Sequence, residues 1–227
     1  MNDLTIWLTY HDDKLIQEYS LENTDVIRLF KGNDSLVKGE NINYLNKYYS
    51  ELTTMYYVWK NKVKSSQIGF CHYRRLFKEY YDVETGQCQV LTILSGNDIF
   101  KQYKTSHNYQ DLYDIVEILN REYGCKNKYS QYLLYGKVFI PCCSFIMQYN
   151  DFEKLCEWLF PILFAWDKKH GLNMDPEKYM EKAKRDFRFD NVDYQCRAIA
   201  FLAERLISCY LVIEMDPYCV THINKME

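Results

Sequence analysis

At 227 residues, with 48% hydrophobic side chains, the chain is long enough for one well-buried α/β domain or a tight pair of subdomains. A formal net charge of −3 and 26% charged residues argue against a nucleic-acid partner, which usually needs a strongly basic balance. The 9 cysteines are irregularly spaced and form no CxxC pair, so they read as reduced thiols of a cytoplasmic protein rather than a disulfide framework.

No basic stretch followed by an apolar run opens the sequence, and no apolar run reaches the roughly 20 residues that span a bilayer. Peripheral contact with the inner face of a membrane stays compatible with this. Tyrosine is abundant, at 22 residues, which suits either an aromatic core or surfaces that stack on sugars and bases.

In chain order, Leu4–Tyr10 is apolar and β-prone, a central first strand that delivers His11-Asp12-Asp13-Lys14 at its carboxyl end. Asp25–Phe30 is expected to be a second strand. Lys31–Asn43, rich in Gly, Asn and Ser, reads as a loop suited to closing over a ligand.

The stretch Ser50–Phe77 is the most informative. Leu52, Met55, Tyr56 and Trp59 recur at helical spacing on one face, behind Ser50 as an N-cap with Glu51 in the first turn. Ile68-Gly69-Phe70-Cys71 then reads as a short buried strand that ends in His72-Tyr73-Arg74-Arg75. In an open α/β sheet, ligands bind at the carboxyl ends of strands. Paired guanidinium forks there match phosphate oxygens.

Beyond this, Lys78–Leu94 is a connection, and Ser95-x-x-Asp98 predicts a capping box for a helix over Asp98–Tyr103. Leu112, Ile115, Val116 and Leu119 mark a helix after His107-Asn108, stopped by Gly124. Val138–Met147 is expected to be one apolar strand. Asn150-x-x-Glu153 caps a helix with Phe152, Leu155, Cys156, Leu159 and Leu163 inside, kinked or divided at Pro161. Lys168–Asn191, with Pro176, Lys182, Lys184, Arg185 and Arg188, is a solvated charged stretch or a basic rim for an acceptor. A last helix over Asp193–Leu211 buries Ala198, Leu202, Leu206 and Cys209, and Leu211–Met215 is expected to be a final strand. Arg197 and Glu204, seven apart, share one face of that helix, and Arg205 requires a partner if it is buried.

ELT-x4-VWKN followed by IGFCHYRR resembles a bacterial polysaccharide-biosynthesis glycosyltransferase family. Its members are described as domains of unknown function or capsular polysaccharide synthesis proteins. Its hallmark is a strand ending in His-Tyr-Arg-Arg behind an ELT…WKN helix, and the similarity covers most of the chain. Asn46, His107 with Asp111-Leu112, the EWLFPILF segment and the Arg-containing helix ending in ERL also fit it. The chain departs from the family at Asp12, where a Lys is usual, and at Cys143-Ser144, where Asn-Met is usual.

The resemblance implies an α/β, single-domain, nucleotide-diphospho-sugar transferase-like (GT-A-like) mixed sheet flanked by helices, over residues 1–227. It implies a transferase moving a sugar from a nucleotide-sugar donor, UDP-sugars first, to a capsule, exopolysaccharide or O-antigen precursor, with a glycan or lipid-linked glycan as acceptor.

Sugar transfer requires stabilisation of a departing diphosphate and, for inversion, a base for the acceptor hydroxyl. Candidates for proton transfer are Glu51, His72, His107 and Glu204. Candidates for substrate binding are His11, Asn46, Trp59, Asn61, Arg74, Arg75 and Arg197. No Asp-x-Asp stands at a strand end, so no metal ligands are named; Mn or Mg stays open beside a metal-independent reaction. The alternative to an enzyme is a non-catalytic nucleotide-sugar or glycan-binding protein. A phosphohydrolase is disfavoured by the missing metal carboxylates.

Overall fold

A computed structural model describes residues 3–96, 98–186 and 190–224. The first half runs β1 (Leu4–Tyr10), α1 (Lys14–Glu18), β2 (Ile27–Lys31), a 3-10 turn at Asn43–Leu45, α2 (Asn46–Tyr49), α3 (Leu52–Lys60), β3 (Gln67–His72), β4 (Arg75–Phe77), β5 (Gln87–Val90) and β6 (Leu94–Ser95). The second half runs α4 (Ile99–Ser106), α5 (Tyr109–Tyr123), α6 (Lys128–Tyr135), β7 (Val138–Phe139), β8 (Phe145–Gln148), α7 (Tyr149–Lys169), α8 (Pro176–Lys184), α9 (Val192–Gln195), α10 (Ala198–Glu214), β9 (Asp216–Cys219) and β10 (His222–Asn224).

The elements form a mixed sheet flanked by helices, as the resemblance implies. Its spine is β2-β1-β3-β8-β5-β9. β1 lies parallel to both β2 and β3, so the carboxyl ends of three strands meet along one edge. β8 runs antiparallel between β3 and β5. The spine closes tightly at Gly69, where an added Cβ would stand 2.8 Å from Ile146 Cγ1 and 3.1 Å from Ile6 Cγ1.

β3 turns directly into β4, with His72 opposite Arg75 and Tyr73-Arg74 at the tip. The polar cluster is therefore a hairpin rather than a strand end alone. Its two central residues place Arg74 at the tip, half-buried, and its flanks set His72 opposite Arg75. β10 extends this ribbon from the other side of β4.

Helices α3, α7 and α10 pack against the sheet around a core that includes Met55, Phe70, Phe145, Phe152, Leu159, Trp166 and Leu206. α10 is buried on nearly all sides, so the stripe Ala198, Leu202, Leu206 and Cys209 is only part of its covered surface.

Several expectations are corrected. Ser50 is not an N-cap: its φ is +51°, Glu51 occupies the cap position, and no side chain caps α3. Ser95 belongs to β6, and Asp98 caps α4 by accepting from the Lys101 N–H. The connection Lys78–Leu94 contains β5, a central strand too short for its alternation to stand out.

The single strand expected over Val138–Met147 is two, broken by Cys142 and Cys143, which both take positive φ. α7 begins at Tyr149 with Gln148 at its cap, so Asn150 lies inside it. α7 also runs unbroken past Pro161, which sits on the exposed face, where water can serve the carbonyl that loses its N–H partner. α10 continues to Glu214, so the final strand starts only at Asp216. Arg188 lies outside the described residues. No helix among the described residues is long and apolar enough to cross a membrane.

Candidate active site

The carboxyl ends of β1, β2 and β3 open into a two-lobed cleft. The first lobe, a cavity of 420 Å³, is walled by Thr9, Tyr10 and His11 from β1, by Asn43, Tyr44 and Asn46 from the turn into α2, and by Tyr73. The second, of 670 Å³, lies between the β3–β4 hairpin, the Pro141–Cys143 turn, α4 and α10. The lobes share Glu51, His72, Arg74 and Arg197. These four residues form a seam of four polar groups of three kinds: two guanidiniums, a carboxylate and an imidazole.

Each seam residue is delivered by a different local device. Glu51 opens α3, just after Ser50 bends the chain out of α2. Arg197 precedes α10 and donates through Nη2 to Ser50 Oγ at 2.8 Å, so it ties the two helix starts together. His72 ends β3, and its Nδ1 accepts from the Arg74 backbone N–H at 3.2 Å. Its Nε2 lies 3.4 Å from Glu51 Oε1. Burial, reinforced by the guanidiniums of Arg74, Arg197 and Arg75, pushes the His72 imidazole down to about 3, so it is uncharged at neutral pH.

In the second lobe, Arg75 donates to Cys142 Sγ at 2.5 Å. Burial pushes that thiol up to about 11, which makes it a neutral and weak acceptor. No carboxylate among the described residues is ion-paired with Arg75 or Arg197. Glu204 has both oxygens engaged: Oε1 accepts the Cys142 N–H at 2.7 Å and Oε2 meets Arg205 Nη1 at 2.5 Å.

Arg205 is buried between the Tyr103 and Phe139 rings and also donates to Gln102 and the Phe201 carbonyl. The partner expected for it is therefore Glu204, its own neighbour. His107 is buried in the wall of this lobe with its ring 3.9 Å from that of Phe201. Burial, with Arg205 nearby, pushes it down to about 3, and its Nδ1 has no partner.

Nine of the eleven residues singled out in the sequence thus line the cleft: His11, Asn46, Glu51, His72, Arg74, Arg75, His107, Arg197 and Glu204. Asn46 also braces the corner, donating to the Ser50 carbonyl and Thr53 Oγ1, each at 3.0 Å.

Two do not line it. Trp59 lies flat on Phe160, with ring centroids 5.3 Å apart and planes 3° from parallel. Asn61 brackets the Gly39-Glu40 loop, accepting from the Glu40 N–H at 3.0 Å and donating to its carbonyl at 2.8 Å. Both stand at the far end of α3, Trp59 in its last turn and Asn61 at its C-cap, whereas the cleft is lined by Ser50 and Glu51 at its start. Cys71 points away from His72 into the core, and burial pushes its thiol up to about 12.

Sequence reasoning missed Asn43, Tyr44, Gln102, Tyr194 and the Pro141–Cys143 turn. Only the Cys142-Cys143 doublet carried any signal, as an unusual break in an apolar run.

Among the described residues, the groups that could together ligate a metal are Asp111, Asp114 and His170, outside the cleft. Lys182 already sits 2.7 Å from Asp111 and Lys169 2.6 Å from Asp114. In the cleft the carboxylates are Glu51 and the fully engaged Glu204, beside the imidazoles of His11, His72 and His107; one free carboxylate is too few oxygen ligands for Mg.

Residues 20–95 and 88–215 match the family model described as "Domain of unknown function (DUF4422)". The chain belongs to this family. No curated protein matches it. Among solved structures, the fold is similar to that described as "WbbM bifunctional glycosytransferase apo structure", with a TM-score of 0.72 and 18% identity. That similarity covers 100% of this chain and 46% of the other, so the chain spans less than half the length of that protein. At this identity the likeness speaks for the fold alone, a mixed sheet flanked by helices.

Proposed function

We propose that this protein is a glycosyltransferase that moves a sugar from a nucleotide-sugar donor, UDP-sugars first, to a glycan acceptor in the assembly of a capsule, exopolysaccharide or O-antigen. The observation that carries this reading is the seam: two adjoining cavities share a wall of two guanidiniums and one carboxylate. Such a wall supplies what transfer between two ligands requires at the point where they meet.

The donor occupies the first lobe, as strand carboxyl ends favour. Its diphosphate lies against Arg74 and Arg197, whose fixed positive charge stabilises the departing group. The acceptor occupies the larger second lobe. Glu51, which faces both, takes the proton from the acceptor hydroxyl as the bond to the diphosphate breaks. The other proton-transfer candidates suit different work. Glu204 has no free oxygen and holds the Cys142 turn. His107, neutral and buried, is a weak base and serves as a hydrogen-bond acceptor.

The test is turnover of a UDP-sugar panel, read as release of UDP with and without glycan acceptors. Release that is lost on Arg74→Ala supports the reading. Tight UDP binding with no turnover of any donor supports the non-catalytic binding protein instead.

A further inference from the structure

We infer that His72 is a positioning residue, a tautomer-locked hydrogen-bond donor that aims the Glu51 carboxylate in the substrate complex. The inference rests on the reading of Glu51 as the proton acceptor. The lock comes from the hairpin itself. The turn between β3 and β4 brings the Arg74 backbone N–H onto His72 Nδ1 at 3.2 Å. A nitrogen that accepts carries no proton, so the ring's hydrogen sits on Nε2. Nε2 is the atom that faces Glu51 Oε1, 3.4 Å away. That separation is longer than a tight hydrogen bond, and pairs of this kind close when substrate excludes water.

A second proton would have to go onto Nδ1, where it would oppose the Arg74 N–H. The ring's surroundings work against it as well. Arg74, Arg75, Arg197 and His11 face it from the hairpin, the N-cap of α10 and the end of β1, with Glu51 at the N-cap of α3 as the carboxylate. The Tyr73 ring lies 4.0 Å away, between His72 and His11. His72 therefore differs from a shuttling histidine: it keeps one proton and lends it to Glu51 as a hydrogen bond.

The tautomer is read directly by nitrogen NMR of protein labelled with 15N in its histidine rings, with His72 identified by the signals lost in His72→Gln. The expected spectrum shows the neutral ring with the proton on Nε2 down to pH 5. A proton on Nδ1, or a charged ring at pH 6, overturns the inference. The second arm uses the UDP-sugar that the wild type turns over. His72→Gln puts an amide nitrogen near the place of Nε2 and should keep kcat within about threefold. His72→Asn keeps an acceptor for the Arg74 N–H but cannot reach Glu51, and should lose about 100-fold in kcat, the scale of a misplaced reacting group. UDP affinity should hold in both.

Equal loss of kcat in the two variants, or loss of UDP affinity in both, overturns the inference while the transferase reading stands. A wild type that turns over no donor overturns both.

Discussion

Two uncharged histidines in the cleft wall make stability fall with acid, by an amount that can be worked out. The imidazoles of His72 and His107 are pushed from 6.5 to about 3 in the folded chain. Between those values the unfolded chain binds protons that the folded chain does not. Stability therefore rises with pH through this window and is lost as pH falls below about 6.5. At pH 5 each ring costs about 2 kcal/mol relative to pH 7.5, or roughly 4 kcal/mol together, at 1.36 kcal/mol per pH unit. For a chain of this size that is a drop of roughly 8–16 °C in Tm. His170, also lowered by burial, adds in the same direction. Asp111 opposes it, because burial raises its carboxyl and the folded state then holds that proton more readily. The assay is calorimetry of the wild type and of His107→Gln between pH 7.5 and pH 5. Removing one ring should about halve the slope. A flat Tm, or a slope that His107→Gln leaves untouched, refutes the picture of buried neutral imidazoles.

Arg197→Ala should weaken UDP binding by about 10- to 150-fold, the equivalent of about 1.5–3 kcal/mol for a hydrogen bond to a charged group, measured by titration calorimetry. Ser50→Ala is the control, since it removes the 2.8 Å contact to Arg197 but leaves the charge in place. Glu51→Gln should bind UDP as the wild type does while losing about 10²- to 10⁴-fold in kcat; undiminished turnover would move the base elsewhere in the cleft. Gly69→Ala should cost about 1–3 kcal/mol through overpacking, because its Cβ would meet Ile146 Cγ1 at 2.8 Å and the Phe145 carbonyl oxygen at 3.2 Å, and thermal melts measure this.

The parts of the fold legible in the sequence are those with a period or a terminator. β1 is legible to the residue, since seven β-prone residues end at a polar corner. α5 is legible from Leu112, Ile115, Val116 and Leu119 and its Gly124 stop, whose φ is +83°. What failed to show was set by tertiary contacts. β5 is four residues long and gains its identity only from β8 and β9 on either side. The site behaved in the same way. Guanidiniums and a carboxylate near strand ends gave away the seam, because charge at such places needs a reason. Trp59 and Asn61 lie away from the cleft: the ELT…WKN segment looks like one functional unit in sequence, although only Ser50 and Glu51 at its start line the cleft. Gln102 and Tyr194 arrive from α4 and α9 with no local pattern that could announce them.

Three of the eight non-glycine residues with positive φ among the described residues border the same cleft. Ser50, Cys142 and Cys143 hold φ values of +51°, +75° and +48°, conformations that cost L-residues about 1–3 kcal/mol each. The positions flank the seam, and cleft side chains hold two of them: Arg197 on Ser50 Oγ, Glu204 on the Cys142 N–H, and Arg75 on Cys142 Sγ. Arg197 and Arg75 are thus both braces and ligand candidates, and a loss of binding on removing either has two readings. Ser50→Ala separates them at Arg197, since a brace acts through the Ser50 hydroxyl whereas a ligand acts through its charge. If Ser50→Ala weakens UDP binding as much as Arg197→Ala does, the arginine shapes the cleft. If Ser50→Ala binds normally, the guanidinium itself grips the diphosphate.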